Sequence, residues 1–137
     1  MQYDDFVGQV QARARLANSG QSAAAIRGTL ETLGERIPDG LAENIAAQLP
    51  REIGEPLRRT VSMVDVGTGE RFDMAEFVSR VSARTGMDQP QALYAARAVL
   101  EVTDEATQGG IMDRLRESLP DDLTVLSESG SRGRLRE

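Results

Sequence analysis

The chain has no cysteine, histidine, tryptophan or lysine, and each absence removes a chemistry. Without cysteine there is no disulfide. Without cysteine and histidine together, the usual sulfur and nitrogen ligands of zinc are missing, as is the side chain that most often acts as a base near neutral pH. Without lysine there is no Schiff base, and a serine nucleophile would have only carboxylates to activate it. All 16 basic residues are therefore arginines, which a coding bias explains as well as a need for guanidinium does. Aromatics number five, two Tyr and three Phe. No apolar run approaches the roughly 20 residues needed to span a bilayer.

The charge that is present is mostly negative. The formal net charge is -6 and the isoelectric point near 4.8, a poor match for nucleic acid or an anionic membrane. Arg132, Arg134 and Arg136 near the end are too few to reverse that expectation. The opening Met1-Gln2-Tyr3-Asp4-Asp5-Phe6 is acidic and carries no apolar run, unlike a secretory signal, so a cytoplasmic location is expected.

The chain is also written twice. Phe6, Val7, Val10, Ala12 and Arg13 reappear 71 residues later as Phe77, Val78, Val81, Ala83 and Arg84. After one residue drops out, the offset becomes 70 and pairs Asn18 with Asp88, Arg27 with Arg97, Leu30 with Leu100, Glu31 with Glu101, Glu35 with Glu105, Gly40 with Gly110 and Pro50 with Pro120. An internal repeat constrains architecture more than any local signal does.

Each copy reads as a succession of helices. Phe6, Val7, Val10 and Ala14 fall at helical spacing, followed by Ala23, Ile26, Leu30, Leu33 and Ile37, then Leu41, Ile45 and Leu49, then Ile53 and Leu57. The second copy follows with Phe77, Val78 and Val81, then Leu93, Ala96 and Leu100, then Ile111, Leu115 and Leu119, then Leu123 and Leu126. Asn18, Asp73 and Asp88 are suited to cap helix N-termini, Asp73 with Glu76 in a capping box. Asp39-Gly40 and Gly109-Gly110 suit the turn after each long helix, and Pro50 and Pro120 stop one helix or open the next.

These observations predict an all-α protein of two tandem pseudo-symmetric repeats, about four helices each, packed into one compact bundle. Repeat 1 covers 1–60, a linker 61–71, repeat 2 72–126, and a disordered tail 127–137. Val61 to Gly69 is the single β-leaning stretch, read mainly as a connector.

Four segments, Tyr3-Asp4-Asp5-Phe6-Val7, Leu30-Glu31-Thr32-Leu33-Gly34-Glu35-Arg36, Ala46-Ala47-Gln48-Leu49-Pro50 and Phe72-Asp73-Met74-Ala75-Glu76-Phe77-Val78, occur in an order that resembles the bacterial and archaeal domain-of-unknown-function family 2267. The likeness spans about residues 3–126. It implies a small helical protein of two related halves and brings no established activity, cofactor or catalytic residue with it. Before Leu119-Pro120 the second half has Arg116-Glu117-Ser118 where the first has Ala46-Ala47-Gln48, so the two Leu-Pro turns need not share a role.

Candidate contacts follow from the duplication. Arg27 with Glu31, and Arg97 with Glu101, form either a reciprocal ion pair across the seam between halves or a solvated helix face. Tyr3, Phe6, Phe72 and Phe77 cluster at the starts of the first helices, as core anchors or as the floor of an apolar pocket between repeats. Tyr94 is a candidate for a polar contact at the seam. Adjacent acids at Asp4-Asp5, Asp104-Glu105 and Asp121-Asp122 read as caps or surface, so no metal and no cofactor is expected. The function expected is a non-catalytic interaction or scaffold module that recognises another protein or itself. The alternative is a regulator that holds an apolar small molecule in the groove between repeats.

Overall fold

A computed structural model describes residues 1–63 and 72–118, apart from the side chains of 59–63 and 118. Among these residues there are seven helices and no strand. They are α1 (Tyr3–Ala14), α2 (Ser19–Arg36), α3 (Asp39–Ala47), α4 (Arg51–Met63), α5 (Met74–Thr85), α6 (Gln89–Ala106) and α7 (Ile111–Ser118). The described residues are all-α, as the periodicity predicts. The fourth helix expected of the second copy, on Leu123 and Leu126, lies outside the described residues, as do Leu119-Pro120 and the tail.

Helix ends follow local chemistry. Asn18 Oδ1 accepts from the Gln21 N–H at 2.8 Å, Asp73 Oδ1 from the Glu76 N–H at 3.0 Å, and Asp88 Oδ1 from the Gln91 N–H at 2.9 Å. Each such cap stabilises its helix by about 1 kcal/mol. The α6–α7 turn uses Gly109 and Gly110 at φ 78° and 74°, a conformation that costs glycine nothing.

Two expectations need correction. Asp39-Gly40 is not a turn but the first turn of α3. The break lies earlier, where Pro38 disfavours a helical Ile37, and both residues are extended at ψ 162° and 148°. The linker does not begin at 61, because α4 continues through Met63. A helix already anchored by Ile53 and Leu57 overrides the modest helix penalty of Val61. Pro56 also lies inside α4, where the periodicity gave no sign of it.

One hydrophobic cluster joins the helices, and Phe6, Leu30, Leu33, Phe77, Val81 and Val99 in it have no exposed surface. The first-repeat and second-repeat stripes therefore share a core. The 18-residue helices α2 and α6 touch each other, and the 12-residue helices α1 and α5 each lie against both of them. α4 covers α2 and α3, while α3 meets α7. At about 1.5–3 kcal/mol for each fully buried large side chain, this core supplies most of the stability.

Two helix crossings depend on missing side chains. A Cβ on Gly28 would sit 2.8 Å from Thr85 Cγ2 and 3.3 Å from Arg84 Cβ, and one on Gly54 would sit 2.8 Å from the Ala46 carbonyl oxygen. Gly8, also helical, would meet nothing within 4 Å. Gly28→Ala is expected to destabilise the fold by about 1–3 kcal/mol through α2–α5 overpacking. Gly8→Ala should be neutral or stabilise by up to about 1 kcal/mol. Urea unfolding of the two variants measures this, and equal midpoints would remove close approach as the reason for Gly28.

Candidate functional site

The charges repeated in both halves converge where α1 crosses α6 and where α5 crosses α2. Arg13 on α1 donates from Nη1 to Glu101 Oε1 at 2.8 Å and from Nη2 to Glu105 Oε1 at 2.8 Å, and its Nη1 also reaches Glu105 Oε2 at 2.9 Å. Arg84 on α5 answers it, donating from Nη2 to Glu35 Oε2 at 2.5 Å and from Nη1 to Thr32 Oγ1 at 2.7 Å, with Nε 3.8 Å from Glu31 Oε1. Glu101 thus accepts from Arg13 of the other half, and Glu31 lies beside Arg84. An arginine placed four residues before a glutamate is the weaker orientation on a helix, and a neighbouring helix presents a better-aimed guanidinium.

Electrostatics follow the geometry. The hydrogen bond from Arg13 to Glu105, more than that to Glu101, raises the Arg13 guanidinium against the opposing effect of burial. Burial works to raise the Glu35 carboxyl, but hydrogen bonds from Arg84 and Arg80 outweigh it and hold the group below its ordinary value of 4.5. Arg80 also donates to Glu76 Oε2 at 2.8 Å and stacks its Cζ 4.0 Å from the centroid of Phe72. The Phe72 and Phe77 rings are 6.4 Å apart.

The remaining candidates separate. Phe6 and Phe77 are sealed in the core at 0 % exposure, and the seam leaves them no opening through which to floor a pocket. Phe72 is half-buried, with its carbonyl accepting from Arg36 Nε at 3.1 Å. Arg97 is 2 % exposed; burial lowers its guanidinium, against the influence of half-buried Tyr94 and of Glu101.

Arg27, the repeat counterpart of Arg97, is exposed. It stands on the rim of a cavity of about 160 Å³ between the start of α1, the middle of α2 and the first turns of α4. Ala23, Ile26, Ile53 and Pro56 form the apolar part of the wall, and Tyr3, Arg27 and Glu52 supply the polar part. Tyr3 and Ala23 are shared with a shallower groove of about 500 Å³ that continues between α1 and α2 past Val7, Gly8 and Gly20. Among the described residues, no hydrogen bond or ion pair engages the side chains of Arg27, Glu52 or Tyr3. Pro56 lacks the N–H that the Glu52 carbonyl would accept in an unbroken helix.

Among the described residues, no group of three or more acidic side chains is placed to hold a metal ion, and no helix is long and apolar enough to cross a membrane. The sequence matches the family model described as uncharacterized conserved protein DUF2267 over residues 3–126. The chain belongs to that family. No curated protein matches it. DUF2267 membership by itself assigns no chemistry to the cavity.

Sequence reasoning passed over Arg13, Arg84, Glu52 and Pro56. Arg13 and Arg84 were visible as a repeated pair, but nothing local indicated that they bridge helices. Glu52 faces Asp122 at the same offset, which reads as a first-turn acid in both copies, and Pro56 faces Leu126, so the duplication did not point to a cavity.

Replacing Glu35 tests the clasp. A depressed carboxyl contributes stability that is complete above its unfolded pKa near 4.5 and is lost as pH falls through the lower folded value. Glu35→Gln should therefore cost about 1 kcal/mol at pH 7 and progressively less below pH 4.5, with Arg84→Met giving a non-additive double variant. Urea titrations at pH 7 and pH 3.5 measure the difference, and a penalty that grows on acidification would contradict the assignment.

Proposed function

We propose that this DUF2267 chain is a cytoplasmic, non-catalytic binding module made of two related, pseudo-symmetric helical halves, and that it takes its ligand where α1, α2 and α4 meet. The observation that carries the reading is the unengaged trio Tyr3, Arg27 and Glu52 around an apolar-walled cavity. Open charges beside apolar surface support recognition, whereas the charges between halves are consumed in holding helices together.

A non-catalytic role is supported by the residue types as well. The cavity's titratable groups are one exposed carboxylate, one guanidinium and one phenol, and no neighbour activates any of them as a base or nucleophile. The expected groove between repeats gives way to this face because Phe6 and Phe77 close the seam. The 500 Å³ groove that extends the cavity favours a second reading, in which a polypeptide or a second copy docks along α1 and α2.

Native mass spectrometry of protein purified gently from its own host tests both readings. A bound mass of a few hundred daltons supports the small-ligand module, a co-purifying polypeptide the docking module, and a bare monomer opposes both. Tyr3→Ala and Arg27→Gln are expected to strip the bound species while shifting stability by less than about 1 kcal/mol, since both side chains are exposed. Phe6→Ala or Phe77→Ala should instead cost about 3–5 kcal/mol and report only on folding.

A further inference from the structure

The cavity constrains its occupant more narrowly than binding alone requires. Its rim carries both signs of charge, on Arg27 and Glu52, and the two do not pair with each other. An occupant with a carboxylate alone would satisfy Arg27 and be repelled by Glu52, and a lone ammonium would meet the reverse. A zwitterion satisfies both.

Size sets the rest. A volume of about 160 Å³ is close to that of an engineered apolar cavity that holds benzene. Ile26 and Ile53, both largely buried, lie at the inner wall beside Ala23 and Pro56. A branched aliphatic or phenyl side chain fits against that wall with its charged head at the open rim. In a free α-amino acid both charges sit on one carbon, whereas a peptide terminus carries only one of them.

The duplication adds an independent argument. Arg97 lies buried with Tyr94 and Glu101 acting on it. The first half has Ala24 where the second has Tyr94, and Glu31, the counterpart of Glu101, is turned toward Arg84. Arg27 is thus left with neither of the groups that accompany Arg97.

Resting on the binding-module reading, we infer that the α1–α2–α4 cavity is a site for a free α-amino acid with an apolar side chain of leucine to phenylalanine size. Arg27 binds the carboxylate, Glu52 the ammonium, and Tyr3 covers the side chain.

Isothermal titration of the full chain with L-leucine and L-phenylalanine, beside isovalerate, isoamylamine and N-acetyl-leucinamide, tests this. Saturable binding of an amino acid is expected, weakened at least about tenfold in each of the three probes that lack one or both charges. Arg27→Gln and Glu52→Gln should each weaken it by at least about tenfold without moving the thermal midpoint. The inference is overturned if neither amino acid binds saturably, if isovalerate binds as tightly as leucine, or if binding survives both substitutions. Should the amino acids fail while protein from the host still carries a species lost in Arg27→Gln, the binding module stands and the zwitterion assignment falls.

Discussion

Everything else in this structure depends on the contact between α2 and α6 and on the way each shorter helix bridges them. An 18-residue helix with one apolar stripe must bury that stripe, and here each long helix does so against the other and against both 12-residue helices. Phe6 and Phe77 reach zero exposure because the halves close over them together. A single half would leave α2 without α5 and α1 without α6. The repeat is therefore one core in two parts, consistent with the marginal stability of cores below about 70 residues.

Apolar burial explains why the halves adhere but says little about how they are aligned, since leucine against leucine tolerates sliding. Alignment falls to directional contacts. Arg13 meets two glutamates of α6 and Arg84 two of α2, each arginine reaching from the last turns of its helix to the other half. Gln48 adds a third tie, its amide donating to the Gln108 carbonyl at 3.1 Å and accepting from the Gln108 N–H at 2.7 Å. Partly exposed ion pairs contribute about 1 kcal/mol or less each, well below one buried phenylalanine. Their consequence is register, and Gly28 makes the same crossing possible by letting the backbone of α2 approach α5.

How much of this could be read in advance follows from which signals are local. Helix positions, the caps at Asn18, Asp73 and Asp88, and the core stripes were legible because each depends on residues within two turns. The Asp39-Gly40 turn was misread because Gly40 was matched to Gly110, while the break was set by Pro38, which has no counterpart in the second half. Ion-pair partners on other helices were hidden for a similar reason. Spacing along one helix pairs Arg27 with Glu31, but a partner on another helix is invisible to spacing. The repeated Arg13 and Arg84 were the usable clue, since a charge kept in both copies near a helix end has something to reach. The cavity was illegible because Tyr3, Arg27 and Glu52 come together only when α4 folds back on α2.

That asymmetry gives the duplication its functional interest. Two copies of one segment begin with the same contacts available, and a position that serves packing alone is expected to keep the same surroundings in both. Phe6 and Phe77 are both sealed in the core, and Arg13 and Arg84 each meet glutamates of the other half. Arg27 and Arg97 differ: one is sealed at 2 % exposure and the other stands open beside Glu52. The open arginine places a fixed charge at the mouth of a hollow lined by Ile26 and Ile53. The second copy gave that arginine to the core, and the first left it facing solvent.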